Sequence, residues 1–163
     1  MKNGFTLVEL LVVIAIVASI VALAVPNYLG ARERARDAKR KSELTQLKSA
    51  LRLYYNDYNS YPPSDGALNS LLGCGVTGAI KCPVCATAEF AAGGSDGCGA
   101  IYMKQLPTSS NFYYYQCTGG EDFRLKSTLD NASDTDAASS QKRCPPACSI
   151  TSYSLKDYVV CAD

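Results

Sequence analysis

The sequence predicts an α+β fold, with one long N-terminal helix packed on a small antiparallel β-sheet carrying disulfide-rich loops. Three observations predict it. An apolar run from Phe5 to Val25 passes into an amphipathic stripe that ends near Tyr58. Two β-prone segments, 111–117 and 123–129, flank a glycine turn. All eight cysteines lie beyond residue 70, outside the helix. A long helix, a loop and then a small meander is the order expected of an α+β chain.

The first 26 residues, MKNGFTLVELLVVIAIVASIVALAVP, join a four-residue polar leader to a 21-residue apolar run. About 20 mostly apolar residues cross ~30 Å of hydrocarbon. The run holds one carboxylate, Glu9, and a charge within a span costs roughly 2.5–3.5 kcal/mol even on lenient scales. One reading is a cleaved signal peptide, with Lys2 as its basic region and Ala22-Leu23-Ala24 as a small-x-small site. Signal cores are shorter, about 7–15 residues, and uncharged. A second reading is a plain membrane anchor, which leaves Glu9 unexplained.

A third reading comes from the string Gly4-Phe5-Thr6-Leu7-Val8-Glu9 followed by Pro26. It resembles the processing site of type IV pilins and of the pseudopilins of type II secretion systems. The resemblance implies that a prepilin peptidase cuts after Gly4, that Phe5 becomes the N-methylated N-terminus, and that Glu9 serves filament assembly. It also implies an assembly ATPase and inner-membrane platform proteins as partners. Cleavage would leave a cationic amine at Phe5, buried with its helix. A buried charge is tolerable mainly when paired, so Glu9 of one subunit and the amine of a neighbour compensate each other. The local alternative is that Glu9 sits one turn from its own helix N-terminus, where the dipole favours a carboxylate.

From Asn27 onward the pattern is amphipathic. Leu44, Leu47, Leu51, Tyr54 and Tyr58 draw one apolar stripe, continued upstream by Tyr28, Ala31, Ala35 and Ala38, small residues that permit close helix approach. Pro26 removes a backbone hydrogen bond and clashes one turn back, so a kink or local unwinding is expected over Val21–Pro26. The stretch Arg32–Glu43 carries six basic and three acidic residues. Asp37 can meet Arg40 and Lys41 at i+3 and i+4 on an exposed face. That face reads as solvated and as pairing with neighbouring subunits. Nucleic acid is a partner some relatives use, and nothing else in the sequence supports it here.

Tyr61-Pro62-Pro63 ends the helix. Cys74, Cys82, Cys85, Cys98, Cys117, Cys144, Cys148 and Cys161 form an even set in an exported, loop-rich region, which reads as a disulfide framework. Eight cysteines allow 105 pairings, so connectivity stays open. The rival is a four-thiolate zinc site from Cys82/Cys85 and Cys144/Cys148. The Cys82–Cys85 spacing also matches thioredoxin-type redox motifs, without their βαβ context. The oxidising compartment favours bridges, and no metal or cofactor is expected.

Residues 111–117 (NFYYYQC) and 123–129 (FRLKSTL) read as an antiparallel hairpin, with Tyr114 on the opposite face from Tyr113 and Tyr115. Tyr158–Cys161 reads as a last strand, and Tyr102–Pro107 as a short helical or extended lead-in. The order also resembles the pilin fold, and the insert Gly73–Gly99 departs from it. Asp130, Asn131, Asp134 and Asp136 are oxygen donors in a loop, and the resemblance implies calcium as a candidate ligand of such a loop. No calcium-loop spacing is present, so a solvated acidic turn is expected.

Without histidine, the Ser-His and Cys-His nucleophile pairs are unavailable. The expectation is therefore a structural subunit rather than an enzyme: leader 1–4, membrane and filament-core segment 5–26, amphipathic half-helix 27–60, disulfide-rich head 61–163. It would be held in the bacterial inner membrane as a single-pass precursor and then polymerise as a homo-oligomeric helical filament, at the cell surface or across the periplasm. The alternatives are a monomeric, membrane-anchored binding module and a cleaved secreted domain.

Overall fold

The structure is a computed structural model that describes residues 6–85, 88–107 and 111–162. Helix α1 (Leu7–Tyr58) contains 52 residues. Cα packing divides the chain into two units, Met1–Arg36 and Asp37–Asp163.

In the first unit the helical residues are rich in valine and isoleucine, whose stiff χ1 lowers helix propensity. In hydrocarbon, helix is nevertheless the required state, because every backbone N–H and C=O must be bonded internally. These side chains bury nothing within the unit: Leu7 is 77% and Leu23 76% exposed. Among the described residues, α1 is a helix long and apolar enough to cross a membrane, and none of its most apolar window is buried. Pro26 lies inside α1, and Val21–Pro26 remain helical. Next to the proline, the Asn27 side-chain amide donates to Leu23 O at 3.2 Å.

In the second unit, α1 carries the predicted stripe. Leu44, Leu47 and Leu51 are fully buried, and Tyr54 nearly so. Each buried leucine is worth about 1.5–3 kcal/mol in transfer terms. The helix ends as Asn59 turns to φ 51° while its N–H still reaches Tyr55 O at 2.8 Å. That is a left-handed cap, which asparagine tolerates.

Among the described residues, seven short strands follow. β1 (Leu72–Cys74) pairs antiparallel with β2 (Ile80–Lys81), and β3 (Phe90–Ala92) with β4 (Ala100–Met103). β5 (Tyr113–Gln116), β6 (Phe123–Thr128) and β7 (Asp157–Cys161) form a three-stranded antiparallel sheet in that order. The predicted hairpin is β5–β6, registered Tyr113↔Lys126 through Gln116↔Phe123. In its turn, Cys117 N–H donates to Asp122 O at 2.9 Å, and Gly119 and Gly120 take φ 90° and 74°. A Cβ at Gly120 would collide with the Ser60 side chain, so the turn needs glycine for space as well as for its dihedral. The predicted last strand is β7, begun one residue earlier at Asp157. The expected lead-in at 102–107 is extended only as far as Met103, the end of β4.

Two features depart from the sequence reading. Residues 72–103, which take in the insert, supply two two-stranded sheets, and the insert's Cys74, Cys82, Phe90 and Ala92 join the main core with Leu47, Tyr54, Tyr114, Phe123 and Leu125. A second helix, α2 (Thr135–Arg143), follows the sheet's second strand, capped by the Asp134 side chain, which accepts from Asp136 N–H at 2.9 Å. Tyr114 is fully buried and its hydroxyl donates to Pro62 O at 2.7 Å. Tyr113 and Tyr115 share the other face, half-buried, with rings 6.4 Å apart. The alternation expected of this strand is therefore present. The fold is α+β and pilin-like, a long N-terminal helix with small antiparallel sheets and four disulfides.

Candidate functional site

The carboxylate within the apolar run has a defined local geometry. Glu9 Oε2 accepts the Thr6 backbone N–H at 2.9 Å and the Thr6 hydroxyl at 2.8 Å. The Glu9 N–H donates to Thr6 Oγ1 at 3.3 Å. Threonine and glutamate three residues apart, exchanging these bonds at a helix start, form a capping box. The box satisfies N–H groups that have no partner at a helix N-terminus. Its sequence signature, Thr6-x-x-Glu9 before an apolar run, is readable without a structure, and Thr6 is the site residue that the sequence reading overlooked. Glu9 therefore has the local role weighed as the alternative. Its partner lies in the same chain, and both side-chain bonds fall on one oxygen. Gly4 and Phe5, the expected cleavage and methylation residues, lie outside the described residues.

The cysteines form four bridges: Cys74–Cys82, Cys85–Cys98, Cys117–Cys148 and Cys144–Cys161. Each close pair is split between two bridges. Cys82 and Cys85 are not joined to each other, which is not the arrangement of a redox motif, and neither are Cys144 and Cys148. With their sulfurs committed, these pairs offer no thiolates to zinc. Asp122 lies beside the Cys117–Cys148 bridge, and its carboxylate is taken by Arg124 Nη1 at 2.6 Å.

The acidic loop is not a solvated turn. Arg40 Nη1 bonds Asp130 at 2.7 Å and Asp37 at 2.9 Å. Lys41 Nζ lies between Asp134 (2.6 Å) and Asp136 (2.8 Å). Asp37, expected on an exposed face beside Arg40 and Lys41, is only 1% exposed. Its two oxygens accept the backbone N–H groups of Asp130 and Asn131, both at 2.8 Å. The aspartate thus ties the loop after β6 to α1, and Lys41 pairs with that loop instead of with Asp37. Three carboxylates that resembled cation ligands are held by side chains of α1.

Burial works against the Asp134 charge, yet the Lys41 ammonium and the Asp136 N–H outweigh it and hold the carboxyl below its usual range. Asp157 is likewise opposed by burial but lowered by the Ser154 N–H, the Thr128 hydroxyl and Lys126. A carboxyl lowered on folding adds stability above its unfolded value and loses it as pH falls through the folded value. Thermal unfolding followed by circular dichroism should therefore show the melting temperature dropping once pH falls below the ordinary 3.8. The Asp134→Asn and Asp157→Asn variants should start lower and show a flatter acid dependence. An acid profile unchanged in both variants would exclude these two groups as its source.

Comparison with known proteins bears on the N-terminal segment. Residues 1–25 match the family described as prokaryotic N-terminal methylation motif. The chain carries a prepilin-type methylation motif. Beside it stand relatives of two kinds. The chain is 41% identical over 71 residues to type II secretion system core protein G of Pectobacterium carotovorum subsp. carotovorum, covering 44% of this chain and 46% of that one. It is 39% identical over 71 residues to the core protein G of Aeromonas hydrophila, covering 44% and 50%. It is also 46% identical over 73 residues to the type IV wide pilus major component PilA4 of Thermus thermophilus, covering 44% and 56%. The chain thus spans about half the length of the curated relatives it matches. No solved structure matches the chain. The methylation motif ends one residue before Pro26, and the Thr6–Glu9 capping box falls inside it.

Proposed function

We propose that this chain is a structural filament subunit, cleaved after Gly4 and N-methylated at Phe5, that polymerises into a type IV pilus or a type II secretion pseudopilus. The observation that carries the reading is an apolar helix, exposed on every side in the single chain, whose third residue is its one carboxylate before Pro26 and lies within a methylation motif. Such a helix needs lipid or copies of itself around it. The same segment therefore serves twice, as a membrane anchor in the precursor and as the core of a polymer. Extraction from lipid requires work, which an assembly ATPase acting through inner-membrane platform proteins would supply, after a prepilin peptidase has removed the leader. Pro26 is the point where the helix would yield on assembly. The relatives' names, a secretion core protein and a pilus component, support both filament types equally.

A second reading draws on the capping box. Because Thr6 gives Glu9 a local role, a monomeric membrane-anchored module would not leave the carboxylate unexplained. Mass spectrometry of the native N-terminus separates the two. A subunit starts at methylated Phe5, an anchor at Met1, and a signal-peptide product at Val25. We expect Phe5 with one added methyl group, and a native chain starting at Met1 or Val25 would rule out the filament reading.

A further inference from the structure

We propose that Arg32, Arg34 and Arg36 bind the phosphates of anionic phospholipid headgroups on the exported face of the membrane, forming a collar around the helix just beyond its apolar span. This inference rests on the reading of Phe5–Val25 as a span.

The basic stretch divides into two parts. Arg40 and Lys41 are engaged by Asp37, Asp130, Asp134 and Asp136, and Lys39 lies 3.8 Å from Glu43. The part nearer the span is Arg32, Arg34 and Arg36, all exposed, with Glu33 as the acid among them, and Arg36 also has an interaction within the chain. Its cations are all arginine, whose planar fork matches phosphate geometry in a way an ammonium does not.

Position supports the same partner. Arg32 to Arg36 stand 6 to 10 residues past Pro26, or about 9–15 Å along a helix. Helical side chains lean toward the N-terminus, here back toward the span. Extended that way, an arginine reaches the headgroup layer, which is about 5–7 Å deep on each side of the hydrocarbon. Tyr28 is 65% exposed and sits between the span and the arginines, at the depth where tyrosines concentrate in membrane proteins.

Angular placement selects lipid over a protein partner. At about 100° per residue, Arg32 and Arg36 lie on one side of the helix and Arg34 on the opposite side. A single docked chain would meet one side, whereas an annulus of lipid meets both. Topology supplies a reason for such a contact to exist. The leader offers Lys2 against six basic residues, Arg32 to Lys41, beyond the span. That imbalance opposes export of the C-terminal side under the positive-inside tendency. Anionic headgroups on the exported face would compensate the charge.

The test reconstitutes the full chain in phosphatidylcholine vesicles and measures, by electron spin resonance, the association of spin-labelled phosphatidylglycerol relative to spin-labelled phosphatidylcholine. Wild type should prefer phosphatidylglycerol, and the preference should fall by up to about fivefold per arginine removed. It should also weaken as salt shortens the screening length. Arg32→Gln, Arg34→Gln and Arg36→Gln combined should abolish it, and the three arginine-to-lysine changes should retain part of it. Equal association of both lipids with wild type, or a preference surviving the triple glutamine change, would overturn the proposal. So would a triple variant with unchanged lipid selectivity that fails only in filament formation, since that assigns the arginines to carboxylates of neighbouring copies. Resistance to alkaline carbonate extraction is read on the same vesicles. A chain that washes off has failed as a span, whereas one that stays without lipid preference has failed only here.

Discussion

Reducing the four disulfides is expected to unfold the second unit at temperatures where the oxidised protein is fully folded. Each bridge restricts the unfolded chain and typically contributes about 2–4 kcal/mol. A small domain's whole stability is about 5–15 kcal/mol. Even with strong non-additivity, loss of all four removes most of that margin. The bridges are not equivalent. Cys117–Cys148 closes the longest loop, 31 residues apart, and joins the β5–β6 turn to the segment after α2. Cys144–Cys161 joins the C-cap of α2 to the end of β7, the strand that pairs with β6 along its whole length. The bridges of the insert close shorter loops, with separations of 8 and 13. Yet Cys74 and Cys82 are buried in the main core with Phe90. Their removal therefore costs packing as well as a constraint. Paired Cys117→Ala/Cys148→Ala and Cys144→Ala/Cys161→Ala variants should each lose about 3 kcal/mol in denaturant unfolding. A reduced protein melting within a few degrees of the oxidised one would show that the apolar core suffices without bridges.

How far the sequence speaks depends on the length and regularity of each pattern. The stripe Leu44–Leu47–Leu51–Tyr54 and the hairpin 113–128 are legible because each repeats one period against a single core. The strand at Asp157–Cys161 is legible from a β-branched pair ending in a cysteine. Helix α2 is hidden because its buried face is only Ala137 and Ser140, too weak for a periodicity signal. Its cap is readable in retrospect: Asp134 before the helix, Asp136 in the first turn, Lys142 and Arg143 in the last. Asp37 misleads for a different reason. Spacing along one helix finds its partner Arg40, but its main partners, the N–H groups of Asp130 and Asn131, arrive from a loop more than 90 residues away. Burial of a carboxylate by backbone donors leaves no local pattern. Disulfide pairing is of the same kind, set by three-dimensional closure and not by spacing. At the candidate site the position of Glu9 is legible from charge in an apolar run, and the capping box from the residue types alone.

Glu9→Ala is expected to abolish filaments while leaving membrane insertion and cleavage intact. Two accounts of Glu9 give different patterns. As a capping residue, it satisfies Thr6 N–H and orders the first turn, and a lost cap costs about 0.5–2 kcal/mol. Thr6→Ala would then be as damaging as Glu9→Ala, and both would be mild, since first-turn fraying is local. As the partner of a neighbour's N-terminal amine, Glu9 compensates a charge that would otherwise be buried alone. An uncompensated charge among apolar helices costs roughly 2.5–3.5 kcal/mol at each subunit contact, about a hundredfold in each association step. Repeated along a polymer, that loss leaves no filament. Glu9→Ala should therefore give none in sheared-fibre preparations or by electron microscopy, while Thr6→Ala gives shorter or fewer ones. Glu9→Gln keeps the size and a hydrogen-bond acceptor for Thr6, so it should cap tolerably and still fail to assemble. That asymmetry is the decisive feature. Assembly of Glu9→Gln at wild-type levels would mean that the carboxylate's charge is not used between subunits, and Glu9 would be a capping residue alone.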